Sequence, residues 1–207
     1  VLGIEKVAGD KVVAIGRPRA FDVDQALDRA LDVFWRKGYE GATLCDLTAA
    51  MGINPPSLYA AFGNKEGLFR KALDRYWALQ AAAWNEALAA PTAREAAERL
   101  LRRTAKFLSD PCHPKGCLAV QGALACGADA DCIRKELETR RADNQARIRD
   151  RFKRAKKDGD LPADADPAAL ARYLSTVIEG MSVQAASGAS RKDLERVADT
   201  ALRAFPD

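Results

Sequence analysis

The side chains with nucleophilic or metal-ligating chemistry are five cysteines, Cys45, Cys112, Cys117, Cys126 and Cys132, and a single histidine, His113. Cys112, His113 and Cys117, with Cys126 or Cys132 brought near, could ligate zinc or act as a thiol sensor of oxidants and electrophiles. The C-H-x3-C spacing lacks the paired C-x2-C of structural zinc sites, so no metal and no cofactor is expected. Cys117 is the candidate sensor thiol, because Gly116 and a helix amino terminus beside it would lower its pKa. An odd cysteine count in a chain of 207 residues favours free thiols over a disulfide framework. With one histidine and no Gly-rich phosphate loop, an enzyme is disfavoured. A helical enzyme or small-molecule carrier using a carboxylate such as Glu179 is the rival class.

A different chemistry is written between Thr43 and Phe62, T-L-C-D-L-T-A-A-M-G-I-N-P-P-S-L-Y-A-A-F. Thr43 and Asp46 mark a helix start, Leu44, Leu47 and Met51 share one face, and Gly52 supplies a left-handed stop. Ile53 plugs the corner, Asn54 caps a second helix, and Pro55 and Pro56 fit only its first turn. Leu58 and Phe62 return to the apolar face. Pro55, Pro56, Ser57, Tyr59, Ala60 and Ala61 stay outward as a slim edge that suits base edges in a major groove. This is the pattern of a helix-turn-helix.

Residues 17 to 75 resemble the DNA-binding domain of the TetR family of transcriptional repressors. The resemblance is carried by G-R-P-R at 16 to 19, W-R-K-G-Y-E-G-A-T-L at 35 to 44 and S-L-Y-A-A-F-G-N-K-E-G-L-F at 57 to 69. Leu58, Tyr59, Phe62 and Lys65 are its most specific part. The resemblance implies phosphate contacts from Thr43, Tyr59 and Lys65. It also implies base-edge contacts from the turn and second helix, which fall here on Asn54, Pro55, Pro56, Ser57 and Ala60. The proline pair removes two backbone donors from that contact. For the rest of the chain the family implies a helical ligand-binding and dimerisation domain.

The elements that must position these residues follow from caps and apolar periodicity. Residues 1 to 20 read as a flexible basic arm whose Arg17 and Arg19 could enter a minor groove. Asp22 or Asp24 caps a helix to about Lys37 with Leu27, Ala30, Leu31, Phe34 and Trp35 inward, Gly38 ends it, and Tyr39 packs at the corner. Asn64 caps a long helix opening at Lys65, where a first-turn lysine is out of place against the helix dipole unless an anion such as a DNA phosphate lies near. Thr92 caps a helix from Ala93 to Leu108. Ser109 to Gly116 interrupts the pattern, and Cys117 to Cys126 is a short buried helix. Cys132 to Gly159 is a long charged helix, whose basic cluster from Arg147 to Lys157 reads as a solvated face. Two last helices start at Asp166-Pro167 and Ser190. The chain is therefore all-α with about nine helices: an arm at 1 to 20, a helix-turn-helix domain at 21 to 64, and a ligand-binding and dimerisation domain at 65 to 207.

Hydrophobic residues make up 48% of the chain, ample for a buried core, and no apolar run is long enough for a membrane span. Charges through the first residues do not read as a secretory signal, so a soluble, cytoplasmic protein is expected. The net charge of +4 permits nucleic acid without arguing for it, so positive groups must be placed rather than abundant. The last two helices carry more apolar surface than one core needs, with Leu170, Leu174 and Ile178 on one and Leu194, Val197, Ala201 and Leu202 on the other. A homodimer through these helices is expected, placing two recognition helices roughly 34 Å apart on a pseudo-palindrome. Trp77, Trp84, Phe107, Cys117, Gln121, Tyr173, Val177 and Met181 are the candidate lining of an effector pocket. A small molecule there would tilt the long helix and release the operator.

Overall fold

Side-chain caps set where most helices begin. The computed structural model describes residues 21–124 and 130–206. Among the described residues the chain is all helical, in order α1 (Val23–Gly41), α2 (Leu44–Met51), α3 (Pro55–Phe62), α4 (Lys65–Leu88), α5 (Ala93–Leu108), α6 (Leu118–Leu124), α7 (Asp131–Lys157), α8 (Pro167–Ala186) and α9 (Arg191–Arg203). The basic arm with Arg17 and Arg19, and Cys126, lie outside the described residues. No described helix is long and apolar enough to cross a membrane.

Asp22, Asn54, Asn64, Thr92 and Asp166 each accept backbone amides of the first turn they precede. Thr43 with Asp46 and Ser190 with Asp193 form reciprocal capping boxes. Each cap satisfies a donor that has no partner inside its helix and contributes about 1 kcal/mol. Gly38, at φ 70° and ψ 177°, leaves the helical conformation where a stop was expected, and a further short turn carries α1 on to Gly41. Tyr39 anchors that turn, its ring 6.4 Å from Phe34 and 5.1 Å from Phe69 between centroids.

Two clusters of buried side chains form the interior. In the first, Phe34 and Trp35 of α1, Leu47 and Met51 of α2, and Leu58 and Phe62 of α3 pack on Leu68, Phe69, Leu73 and Tyr76 of α4. Leu118 of α6 and Ile133 and Leu137 of α7 close it. Two eight-residue helices are too short to persist alone, so α2 and α3 depend on this burial. Packing therefore does not divide at residue 64, because α4 completes the amino-terminal core through Tyr76. The second cluster joins the end of α4 with α5, α7, α8 and α9. Phe107 and Cys117, both half-buried, pack against both clusters.

One member of the basic run on α7 is not solvated. Arg151 is buried and its Nη2 donates to the carbonyls of Ala90 at 2.9 Å and Pro91 at 3.1 Å. It closes the loop between α4 and α5, where the carbonyls would otherwise lack donors.

Candidate nucleic-acid interface and effector cavity

The turn between α2 and α3 works because Gly52 takes φ 69°, a left-handed conformation that its amide stabilises by donating to Ala49 and Thr48. Leu47, Met51, Leu58 and Phe62 are then buried on one side. On the other, Pro55, Pro56, Tyr59 and Ala60 are exposed and Ser57 is half-buried. Asn54 Oδ1 accepts the Ser57 amide at 2.9 Å. With no N–H on Pro55 or Pro56, the first three positions of α3 have no backbone donor free. This edge therefore offers a hydroxyl at Ser57, proline rings and the Ala60 methyl group, chemistry suited to apolar contact as much as to hydrogen bonding.

Charged groups are placed around the rim of that edge. Asp46 Oδ1 lies 2.7 Å from Lys37 Nζ, and Asp46 Oδ2 accepts the Thr43 amide at 3.1 Å and the Thr43 hydroxyl at 2.8 Å. The Lys37 bond first, and the Thr43 bonds after it, lower the Asp46 carboxyl to about 2. Lys65 Nζ stands 4.7 Å above the Tyr39 ring and donates to the Glu40 carbonyl at 3.4 Å. Burial lowers its pKa, with the Glu40 charge opposing. A first-turn lysine is thus already accommodated by a ring and a carbonyl before any phosphate arrives. Tyr39 and Lys37 were not among the expected site residues. Periodicity could not have flagged them, since their partners lie on other helices.

A cavity of about 380 Å³ opens between α4, α5, α7 and α8. Trp77, Trp84, Phe107 and Cys117 line it as expected, together with Tyr76, Gln80, Thr104, Ser175, Glu179 and Ser182. Arg141, Asn144 and Arg147 contribute from α7. The other four candidates lie elsewhere. Met181 is buried in the carboxy-terminal core and Val177 packs against it. Tyr173 is exposed and its hydroxyl donates to the Ala201 carbonyl at 3.4 Å, while the Gln121 amide is held against Gly116. The polar lining was missed because residues 141, 144 and 147 carry the signature of a solvated face.

The expectation of a low pKa at Cys117 is overturned. Burial pushes the thiol up, although the Tyr76 hydroxyl and the Val120 and Ala119 amides oppose it. The Tyr76 hydroxyl donates to Cys117 Sγ at 3.1 Å. Cys45, Cys112 and Cys132 are exposed free thiols. His113 stacks on Trp35, and no cluster of three metal-ligating side chains occurs among the described residues.

The candidate dimer residues also separate. Leu174, Leu194, Ala201 and Leu202 are buried in the core of their own subunit. Leu170 and Ile178 are partly covered by the same core. Val197 is exposed, as are Tyr173 and Val183. An amphipathic helix cannot reveal from its stripe alone which part meets its own fold.

Sequence models of two domains match the chain. The amino-terminal domain of bacterial regulatory proteins of the tetR family matches residues 26–72, and the tetracyclin repressor-like carboxy-terminal domain matches residues 93–201. The HTH-type transcriptional repressor ComR of Escherichia coli K12 is 36% identical over 194 residues, covering 93% of this chain and 92% of that protein. A cysteine mutant of the TetR family transcriptional regulator CifR, solved with 26-bp double-strand operator DNA, is 48% identical with a TM-score of 0.88, over 92% of this chain and 100% of that one. A TetR regulator from Rhodococcus is 45% identical with a TM-score of 0.61, over 87% and 97% of the two chains. These relatives are transcriptional regulators rather than enzymes, and the chain belongs to the TetR family of bacterial regulatory proteins.

Proposed function

We propose that this regulator is a homodimeric repressor that holds a pseudo-palindromic operator and leaves it when a small molecule enters the cavity between α4, α5, α7 and α8. The observation that carries the reading is the exposed edge of α3, backed by buried Leu58 and Phe62, in a chain that is 48% identical to a regulator solved on operator DNA. Thr43, Tyr59 and Lys65 contact phosphates. Asn54 sets the first turn of α3, and Pro55, Pro56, Ser57 and Ala60 face base edges. Arg17 and Arg19 of the arm reach an adjacent minor groove. With DNA as its partner, the protein works in the cytoplasm at the nucleoid.

The placement of α4 supports release on ligand entry. The long helix α4 supplies the cavity wall through Trp77 and Trp84 and the amino-terminal core through Leu68 and Phe69. A wedge beside it changes the separation of two reading heads that must stay about one helical turn of DNA, roughly 34 Å, apart. The test is an electrophoretic mobility shift with DNA flanking the protein's own gene. Retention at low salt that weakens as salt rises is expected. Absence of any retained fragment at low salt would overturn the reading.

A further inference from the structure

Between the cavity and α1 lies a set of rings of which only Phe107 belongs to the cavity lining and none to the DNA-reading edge. Trp35, buried on α1, stacks on His113 at 4.7 Å and on Phe107 at 5.7 Å between centroids. Phe107 and His113 are themselves 4.5 Å apart. Trp35 Nε1 donates to the Gly116 carbonyl at 3.1 Å, inside the protein. Gly116 sits at φ 83°, and a Cβ there would lie 2.4 Å from Gln121 Nε2 and 3.1 Å from Ala186. Only a glycine therefore fits where the loop meets Trp35. The next residue, Cys117, lines the cavity, as does Phe107.

We infer that the Trp35, His113 and Phe107 stack, latched by the Trp35 bond to Gly116, carries occupancy of the cavity to the operator-reading edge. Trp35 and His113 are then positioning residues for DNA recognition. This rests on the cavity being the effector site. The path is short: Phe107 meets the ligand on one side and Trp35 on the other. Two residues beyond Trp35, Lys37 holds Asp46 and the cap of α2; four beyond it, Tyr39 supports Lys65. A small displacement of Trp35 therefore reaches both charged groups at the rim of the reading edge. Close-packed interiors respond to such a push by shifting between arrangements rather than by deforming smoothly. The segment from Ser109 to Gly116, an interruption in the sequence pattern, becomes the part that joins the two halves.

The experiment needs no effector. Ser175 is half-buried and lines the cavity from α8. Ser175→Trp puts a bulky group into the cavity without touching the stack's sequence. Operator affinity is measured by fluorescence anisotropy on labelled DNA flanking the protein's own gene, with and without Ser175→Trp, in the wild type and in His113→Ala, His113→Phe and Trp35→Phe. The expected loss is roughly tenfold or more in the wild type and under about twofold in His113→Ala and Trp35→Phe. In His113→Phe, which keeps a stacking ring, the loss returns. Each factor is a ratio within one background, so a background that is weaker overall does not imitate the result. Equal losses in all four backgrounds would overturn the relay while leaving the cavity as the switch. No loss in the wild type would overturn the cavity reading and the relay with it.

Discussion

Lys37 Nζ lies 2.7 Å from Asp46 Oδ1, tying the residue before the α1 kink to the cap of α2. Asp46 is held to about 2, chiefly by that bond and then by Thr43. A carboxyl depressed in the fold adds stability that is complete above its unfolded value of about 3.9. That stability is lost as pH falls through about 2. The thermal midpoint of Asp46→Asn is therefore expected below that of wild type at pH 7, with the gap closing between about pH 4 and pH 2. A gap that stays constant across that range would contradict the assignment. Thr43→Ala removes the cap itself and is expected to cost about 1 kcal/mol, a drop of roughly 2–4 °C, read by calorimetry.

Lys65 and Ser57 are assigned different work at the same edge, and binding data separate them. Lys65→Ala is expected to weaken binding about equally to all DNA sequences and to reduce the slope of log affinity against log salt by about 1. Ser57→Ala keeps the salt slope and relaxes preference at one base position in a selection from randomised half-sites. Parallel losses on every sequence from both variants would undo the division.

The helix-turn-helix was legible because its signals are local. Thr43, Gly52, Asn54 and Asn64 act on backbone within four residues of themselves, and each does in the fold what its type and position imply. What sequence could not reveal depends on how helices are rotated against each other. Glu179 and Met181 sit two residues apart on α8, yet one lines the cavity and the other is buried in the core. Arg151 belongs to a charged run but is buried against two carbonyls of the loop between α4 and α5. The contact of Trp35 with His113 spans nearly the whole distance from α1 to α6 along the chain and has no periodic trace.

Cys117 is expected to be the slow thiol. Burial raises its pKa, so little thiolate is present near neutral pH, and the Tyr76 hydroxyl offsets this only in part. Under limiting iodoacetamide near pH 7.5, peptide mass spectrometry should find Cys45, Cys112 and Cys132 modified well before Cys117. Tyr76→Phe, which removes the hydroxyl that favours the thiolate, should slow Cys117 further. Cys117 reacting fastest in the wild type would revive direct thiol sensing as the trigger.

Val197 and Leu194 lie three residues apart on α9, and substitutions at the two are expected to separate dimerisation from folding. Leu194 is fully buried in its own subunit, whereas Val197 is 39% exposed. An aspartate at Val197 remains solvated in the monomer but would have to be desolvated against a partner, at a cost in association. Val197→Asp is thus expected to sediment as the 22.4 kDa monomer with a near-normal thermal midpoint. Its operator affinity should fall steeply, because each half-site is then held by a single reading head. Leu194→Ala is expected to do the reverse, costing about 2–5 kcal/mol of stability through the cavity it leaves while the dimer persists. If Val197→Asp still sediments as a dimer, the subunits meet through some other face, and the spacing of the two reading heads is set elsewhere than on α9.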